Sequence, residues 1–190
     1  MMKFGEINEF FIDHKTIIQQ MEQFDFSGKR IKSIIDPEDC LDYLICAGQS
    51  QNECYLEYGL VFVVFDDGDV FEITGWEDSK REGFLVSMNH FINDEKYKYC
   101  KPDLLTDTIL GKYCYGKTIK GFKFKSKRDN ADCDCPHYIG IEFEDSTCLW
   151  FERMFDNTNL YLKDKNGKIM HGNFDRMKLA EEAGYRNPWE

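Results

Sequence analysis

The pattern of apolar and polar residues is clearest between residues 58 and 76. Residues 60–65 form an unbroken apolar run rich in β-branched and aromatic side chains, and residues 70–76 follow the polar sequence Asp66-Asp67-Gly68-Asp69. Asp-Gly between two such runs predicts a β-hairpin, because glycine adopts positive φ without steric cost. The first run has no polar position and predicts a central strand covered on both faces. The second alternates and predicts one face in water.

Helical spacing precedes this hairpin. Between residues 6 and 24 apolar side chains recur at intervals of three and four, which predicts an amphipathic helix. Residues 28–35 predict a strand, which Asp36-Pro37 ends. After the hairpin, residues 84–88 predict a third strand of an antiparallel meander.

A similar order of elements recurs in the second half of the chain. Residues 103–110 predict a short helix that ends at Gly111. Residues 116–122 then repeat the Gly-Lys-x-Ile-Lys pattern of residues 28–34, and a second hairpin is predicted over residues 138–151. This recurrence indicates an internal duplication, although any two β-meanders resemble each other at this level.

We therefore predict the α+β class, with two related antiparallel β-meander units that are each preceded by a helix. The repeated segments cover residues 6–90 and 103–170, and the predicted units are residues 1–100 and 101–190. A short C-terminal helix is predicted over residues 175–183, because Gly184 follows it as a stop.

The sequence leaves the register of the hairpins open. In the second hairpin we predict that Phe143 pairs with Leu149 and Ile141 with Phe151 across a three-residue loop. The matching register in the first hairpin pairs Phe65 with Phe71, whereas a two-residue turn pairs Phe65 with Val70. A slip of one residue moves every side chain to the other face, so the two registers predict different cores.

Composition narrows the class of partner. With 190 residues, 42% of them hydrophobic, the chain can bury a core in one domain or two small ones. Its net charge of −11 disfavours nucleic acid or an anionic membrane as the partner of the whole surface, and favours a basic protein or a ribonucleoprotein.

Location is predicted from what the sequence lacks. No apolar stretch approaches the roughly 20 residues that span a bilayer, and the polar start does not resemble a signal peptide. We therefore expect a cytoplasmic protein. Its eight cysteines are then expected to be free thiols, many of them small buried hydrophobic groups.

A short cysteine-rich segment is the candidate metal site. Cys133, Cys135 and His137 alternate along the chain, and zinc prefers thiolate and imidazole ligands. Because zinc ligands are usually two to four residues apart, ordinary loop thiols are the simpler interpretation, so no cofactor is predicted and zinc is the alternative. A nucleophilic pair of Cys135 and His137 is less favoured, since Asp134 and Pro136 do not favour a low thiol pKa.

The clearest charge anomaly is the basic strip, which we define as Lys117, Lys120, Lys123, Lys125, Lys127 and Arg128. No acidic residue interrupts it, and Phe122 and Phe124 alternate with the lysines, as in a strand with one aromatic and one basic face. The simpler interpretation is an edge strand whose lysines discourage association between sheets. The functional interpretation is contact with phosphate or an acidic partner through the strip residues from Lys120 onward.

Acidic residues also cluster at the predicted first turn. Asp66, Asp67 and Asp69 lie within four positions. Such a group can bind a basic groove by electrostatic steering, although a solvated acidic turn explains it equally well. We retain these three residues as candidate partner-binding residues.

No catalytic residue is predicted. The chain lacks a glycine-rich phosphate loop, G-x-G-x-x-G, H-E-x-x-H and G-x-S-x-G. Our preferred hypothesis is an acidic, non-enzymatic protein-binding module that inhibits another macromolecule, as anti-defence inhibitors of defence nucleases and toxin-immunity proteins do. The alternatives are a nucleic-acid-processing or metal-dependent enzyme that uses residues 117–137, and a structural adaptor.

Overall fold

Two antiparallel sheets make up most of the described chain. The structure, a computed structural model, describes residue 19 and residues 21–35, 61–77, 82–93, 109–125, 136–154 and 157–172. The first sheet has the order β1-β2-β3-β4, with strands Ile31–Ile35, Val61–Phe65, Val70–Glu77 and Glu82–Met88. The second has the order β5-β6-β7-β8-β9, with strands Ile119–Lys125, Tyr138–Phe143, Cys148–Met154, Asn157–Lys163 and Ile169–Gly172.

The predicted α+β class, with a helix before each meander unit, is wrong. Helical structure in the described residues is limited to α1 (Ile109–Cys114), a 3-10 turn at Phe91–Asn93, and residues 19 and 21–23. The described chain is mostly β-structure, because each alternating or continuous apolar run forms a strand that pairs with the next strand in sequence. Most of the predicted first helix and all of the predicted C-terminal helix lie outside the described residues, and the division at residues 100 and 101 stays a prediction.

The predicted stop at Gly111 is also wrong, since α1 continues through it to Cys114. A helix interior tolerates a glycine at a cost of about 1 kcal/mol. Gly116 instead follows the helix with φ +74, and Gly28 takes the same conformation, with φ +79, before β1. Both glycines therefore occupy left-handed positions that a residue with a side chain rarely adopts.

The hairpin register differs from both predicted alternatives. Val64 pairs with Val70 in the first hairpin, and Ile141 pairs with Leu149 in the second. Phe143 N–H donates to Thr147 O at 2.9 Å, and Phe65 N–H donates to Asp69 O at 2.8 Å. Each hairpin thus closes a three-residue loop.

The turn residues explain this register. Gly68 has φ +97 and Ser146 has φ +65, and each is the third residue of its loop. A left-handed residue at this position after a type I turn closes a three-residue loop. The observed pairing lies two positions from the predicted Phe65–Phe71 and Phe143–Leu149 pairing, so that register still assigned the side chains to the correct faces.

The two sheets meet where β1 and β5 begin, and we call this contact the joint, residues 28–31 with residues 116–119. Arg30 and Thr118 form an antiparallel bridge. The hydrogen bonds of the joint are reciprocal. Gly28 N–H donates to Ile119 O at 3.2 Å, and in return Gly116 N–H donates to Ile31 O at 2.7 Å. Likewise, Ile31 N–H donates to Lys117 O at 3.1 Å, and Ile119 N–H donates to Lys29 O at 2.9 Å. Each bond has a counterpart with the two segments exchanged, as in the interface of a two-fold dimer.

One hydrophobic core lies between the two sheets. Strand β3 packs against β7 and β8, and the rings of Phe71 and Phe151 meet edge to face with their centroids 6.4 Å apart. Phe26 extends the core to the joint, since its ring contacts Phe65, Phe71 and Phe122. Burial of this apolar surface is the main favourable contribution to folding.

The two predictions about exposure in the first hairpin have opposite outcomes. Every residue of β2 is buried, so the strand covered on both faces is confirmed. In β3, however, Glu72 is 0% exposed, so the prediction of a water-facing side is wrong at this position, while Thr74 on the same side is partly exposed. Its carboxylate accepts hydrogen bonds from the Ser87 hydroxyl, from His90 N–H at 3.1 Å and from Ile92 N–H at 2.7 Å. A buried carboxylate is tolerated here because it satisfies the backbone of the Phe91–Asn93 turn.

The described cysteines behave as small hydrophobic groups. Cys114 and Cys148 are free and buried, which confirms the expectation for these two, and the other six lie outside the described residues. Burial raises the pKa of each thiol to about 12, so neither is a reactive thiolate at neutral pH. Among the described residues, helices are too short or too polar to cross a lipid bilayer.

We predict that one polar contact between the sheets contributes measurably to stability. The buried Gly75 N–H of β3 donates to Thr158 Oγ1 of β8 at 2.7 Å. Replacing Thr158 by valine keeps the shape but leaves this N–H without that acceptor, which costs about 1–3 kcal/mol. Urea unfolding measures the change. Thr158→Ser is the control, because it keeps the hydroxyl, and a valine variant as stable as the wild type would contradict the prediction.

Candidate functional site

The first candidate surface is the outer face of the five-stranded sheet, which lies opposite the core. Ile139, Ile141 and Phe143 of β6 point into the core. Because side chains alternate along a strand, the residues between them point outward. The outer face is therefore formed by Lys123 and Lys125 of β5, Tyr138, Gly140 and Glu142 of β6, Cys148, Trp150 and Glu152 of β7, and Tyr161 and Lys163 of β8.

The basic strip begins at Lys117, just before β5, and continues along β5, which is an edge strand of this sheet. Lys123 Nζ lies 2.8 Å from Glu142 Oε1, and Lys120 Nζ lies 3.6 Å from Glu142 Oε2. Lys117 pairs with Asp145 and donates to Thr147 Oγ1 at 3.1 Å. The edge position agrees with the simpler interpretation of the strip. Lys127 and Arg128 lie outside the described residues.

The Lys123 contact fixes the charge state of Glu142. The hydrogen bond from Lys123 lowers the pKa of the Glu142 carboxyl more than burial raises it, and the same bond raises the pKa of Lys123. Both groups therefore remain charged at neutral pH.

Aromatic rings hold two other lysines of the outer face. Lys125 Nζ lies 4.8 Å from the centroid of the Trp150 ring, and Lys163 Nζ lies 5.6 Å from the centroid of the Tyr161 ring. Trp150 and Tyr161 are directly paired across β7 and β8. Cation–π attraction therefore places two ammonium groups above one cross-strand aromatic pair.

Glu152 lies beside this aromatic pair and is the centre of a polar cluster. Tyr138 donates to Glu152 Oε1 at 2.8 Å, and the Tyr161 hydroxyl donates to Oε2. Burial raises the pKa of Glu152, but the hydrogen bonds from Tyr161, Tyr138 and Asn159 together lower it by more, so its pKa lies below the usual value. Burial, together with the bond to Glu152, raises the pKa of Tyr161 to about 12.

The candidate metal ligands are only partly described. His137 is buried, with Nδ1 3.4 Å from Arg153 Nη2 and Nε2 3.7 Å from Glu152 Oε1. Cys133 and Cys135 lie outside the described residues, so their position relative to His137 stays a prediction. Within the described ranges, no group of three or more histidine, cysteine, aspartate or glutamate side chains is placed to hold a metal ion.

The acidic candidates lie at the tip of the first hairpin. Lys29 pairs with Asp67, and its Nζ lies 2.8 Å from Asp69 Oδ2. Arg30 Nε lies 2.9 Å from Asp66 Oδ2, and this bond lowers the pKa of Asp66. The second hairpin repeats the arrangement, with Lys117 bound to Asp145 in the place of Lys29 bound to Asp67.

The joint brings the two hairpin tips together. Asp66 N–H donates to Arg30 O at 3.0 Å, and Glu144 N–H donates to Thr118 O at 3.1 Å. Because Arg30 also bridges Thr118, a continuous row runs from one hairpin tip through the joint to the other. We name these residues the acidic tips: Asp66, Asp67 and Asp69 of the first hairpin, with Glu144 and Asp145 of the second.

Sequence reasoning found half of these surfaces. It identified Asp66, Asp67, Asp69 and the lysines of β5, but it missed the second acidic tip and the polar cluster around Glu152. Alternation along residues 138–143 was a usable signal for the outer face, because Tyr138 and Glu142 alternate with the buried Ile139, Ile141 and Phe143. The convergence of Tyr138 and Tyr161 on Glu152 depends on pairing between β6, β7 and β8, which the sequence left open.

Comparison with protein-family models, with curated proteins and with solved structures finds no match to this chain. The geometry of the acidic tips and of the outer face therefore carries the functional argument.

We predict that Gly140 is required beneath the Trp150 ring. A Cβ atom at Gly140 would lie 2.8 Å from Cys148 Sγ and 2.9 Å from Trp150 Cε3. Gly140→Ala is therefore expected to displace the indole and to cost about 1–3 kcal/mol. Near-ultraviolet circular dichroism and urea unfolding measure both effects. Gly121→Ala is the control, because nothing lies within 4 Å of its Cβ position. Equal stability of both variants would contradict this assignment.

We also predict a pH-dependent contribution from Glu152. Its pKa is lower than the ordinary value of 4.5, so the stability it contributes is complete above that pH and is lost as the pH falls through the folded-state pKa. Glu152→Gln should lower stability by about 1 kcal/mol at pH 7, after allowance for solvent screening, and by less under acidic conditions. Urea unfolding at several pH values tests this, with exposed Glu144→Gln as the control. A difference independent of pH would count against it.

Proposed function

We propose that the protein is an acidic, non-enzymatic protein-binding module that inhibits a basic partner, in the manner of a defence-nuclease inhibitor or a toxin-immunity protein. The observation that carries this proposal is the placement of the two acidic tips on either side of the joint. A basic groove on a partner would meet carboxylates from both halves of the chain at once.

The charge of the tips supports this proposal. The side chains of Asp66, Asp67, Asp69 and Asp145 are 41–49% exposed. The bond from Lys29 lowers the pKa of Asp69, and Lys117 lowers that of Asp145 against the opposing effect of burial. The carboxylates of Asp69 and Asp145 are therefore ionised at neutral pH. The five acidic residues of the tips also outnumber the three basic residues that bind them, Lys29, Arg30 and Lys117, in a chain of net charge −11, which favours steered association with a basic protein.

The rigidity of the tips also favours binding. Asp69 N–H donates to Asp67 Oδ1 at 3.1 Å, and Thr147 N–H donates to Asp145 Oδ1 at 2.9 Å. Each tip is thus tied to its own turn as well as to a lysine. Preorganised side chains lose less conformational entropy when a partner binds.

A cytoplasmic site of action is part of the proposal, supported by the free thiols of Cys114 and Cys148. The alternative enzyme that uses residues 117–137 has less support. Lys117, Lys120 and Lys123 are engaged by carboxylates of the same sheet, which lowers the charge available for a phosphate-bearing substrate.

Charge reversal at the tips tests the proposal. We expect the tagged chain to co-purify a basic protein from its own cells and to lower that protein's activity when both are pure. The double variant Asp66→Lys with Glu144→Lys should reduce the association rate about tenfold or more, because steering depends on charge complementarity. Surface plasmon resonance at low and high salt measures the rate.

A matched control separates the tips from net charge. Glu22→Lys with Asp25→Lys makes the same change in charge at two exposed residues outside the tips, and it should leave most of the association rate intact. Equal loss in both variants, or a bound partner whose activity is unchanged, would refute the proposed function.

A further inference from the structure

We propose that the outer face of the five-stranded sheet binds single-stranded nucleic acid, with phosphates at Lys125 and Lys163 and bases against Tyr138 and Tyr161. This activity goes beyond the proposed binding of a basic protein and uses a different surface. It does not depend on the acidic tips.

The first argument is the local charge of the outer face. Lys123, Lys125 and Lys163 outnumber the two carboxylates of this face, Glu142 and Glu152, and Lys120 adds a further positive charge because its Nζ lies 3.6 Å from Glu142 Oε2. The chain as a whole carries −11. A basic face on an acidic protein directs a polyanion to one place, because the remaining surface repels it.

The second argument is that the two carboxylates of this face are already occupied. Lys120 and Lys123 both contact Glu142. Glu152 accepts hydrogen bonds from Tyr138 and Tyr161. Lys125 and Lys163 instead lie against aromatic rings, and a ring, unlike a carboxylate, does not neutralise the ammonium group that contacts it.

The third argument is the aromatic surface between these two lysines. Trp150 is only 5% exposed and lies beneath this surface, whereas the rings of Tyr138 and Tyr161 are half-buried and reach it. Their hydroxyl groups are both bound to Glu152, so the rings are fixed in place. Sheets that bind single strands combine such fixed rings, on which bases stack, with lysines that contact the backbone.

The combination of aromatic rings and lysines on the outer face favours nucleic acid over an acidic protein segment as the ligand. An acidic peptide needs only the charges, whereas a base would also use the half-buried ring of Tyr161 next to the ammonium group of Lys163. Substitutions of the aromatic ring therefore distinguish binding of nucleic acid from simple binding of anions.

Fluorescence anisotropy with labelled single-stranded oligo-dT and oligo-rU of about 12 nucleotides tests the inference on the full chain. We expect binding at about 50 mM salt, with log K falling against log salt at a slope of about −1.4 for the two phosphate contacts at Lys125 and Lys163. Lys125→Ala with Lys163→Ala should weaken binding about tenfold and reduce the slope by about 1.4. The control, Lys32→Ala with Lys168→Ala, removes two other exposed lysines and should bind like the wild type.

Two variants at Tyr161 isolate the contribution of the ring. Tyr161→Phe and Tyr161→Leu both lose the hydroxyl that binds Glu152, but only phenylalanine keeps an aromatic face. The leucine variant should therefore bind about tenfold more weakly than the phenylalanine variant. Thermal unfolding confirms that both variants are folded at the temperature of the assay.

Three results would overturn the inference. The first is no binding of either oligonucleotide at low salt. The second is equal weakening by the Lys125 and Lys163 pair and by its control. The third is binding of poly-glutamate of matched charge as tightly as the oligonucleotides, which would assign the face to an acidic protein.

Discussion

The reciprocal backbone hydrogen bonds of the joint are the constraint on which the other features depend. Because Gly28 and Gly116 adopt positive φ, each chain segment turns so that its N–H faces a carbonyl of the other. This contact joins the edge strands β1 and β5 at their first residues. Asp66 lies next to Arg30 within the first sheet, and Glu144 lies next to Thr118 within the second. The bridge between Arg30 and Thr118 therefore determines how the carboxylates of the two hairpins lie relative to each other.

Charge on this protein is arranged in local pairs around that backbone. Lys29 lies over the Phe65 ring while it binds the first acidic tip, and Lys117 lies over the Phe143 ring while it binds the second. An ammonium group between a ring and a carboxylate has little freedom to move. The same side chains that set the charge of the tips therefore also set their shape, and sequence counts of acidic and basic residues do not reveal this coupling.

The strands were predictable from sequence to the extent that a local pattern determines them. The apolar run of β2 and the repeated Gly-Lys-x-Ile-Lys motif indicate a buried central strand and two similar strand starts. The burial of Glu72 was not predictable, because its hydrogen-bond donors come from residues 87–92 of a later segment. The register failed for a related reason: Ser146 adopts φ +65 without a glycine to signal it. The cluster around Glu152 needed that register.

The two sheets share a register but differ in the residues that line their outer faces, and this difference explains why the nucleic-acid-binding surface that we propose lies on the second sheet. Val64 pairs with Val70 in the first sheet, whereas Glu142 pairs with Cys148 at the corresponding positions of the second. Both valines are buried, while the Glu142 side chain remains 17% exposed. Valine side chains stabilise the fold only when they are removed from water. Charged residues and tyrosine hydroxyls, by contrast, are stabilised by hydrogen bonds to water and can therefore remain at the surface. The same strand arrangement thus builds a hydrophobic layer in one half and an accessible, lysine-bearing surface in the other.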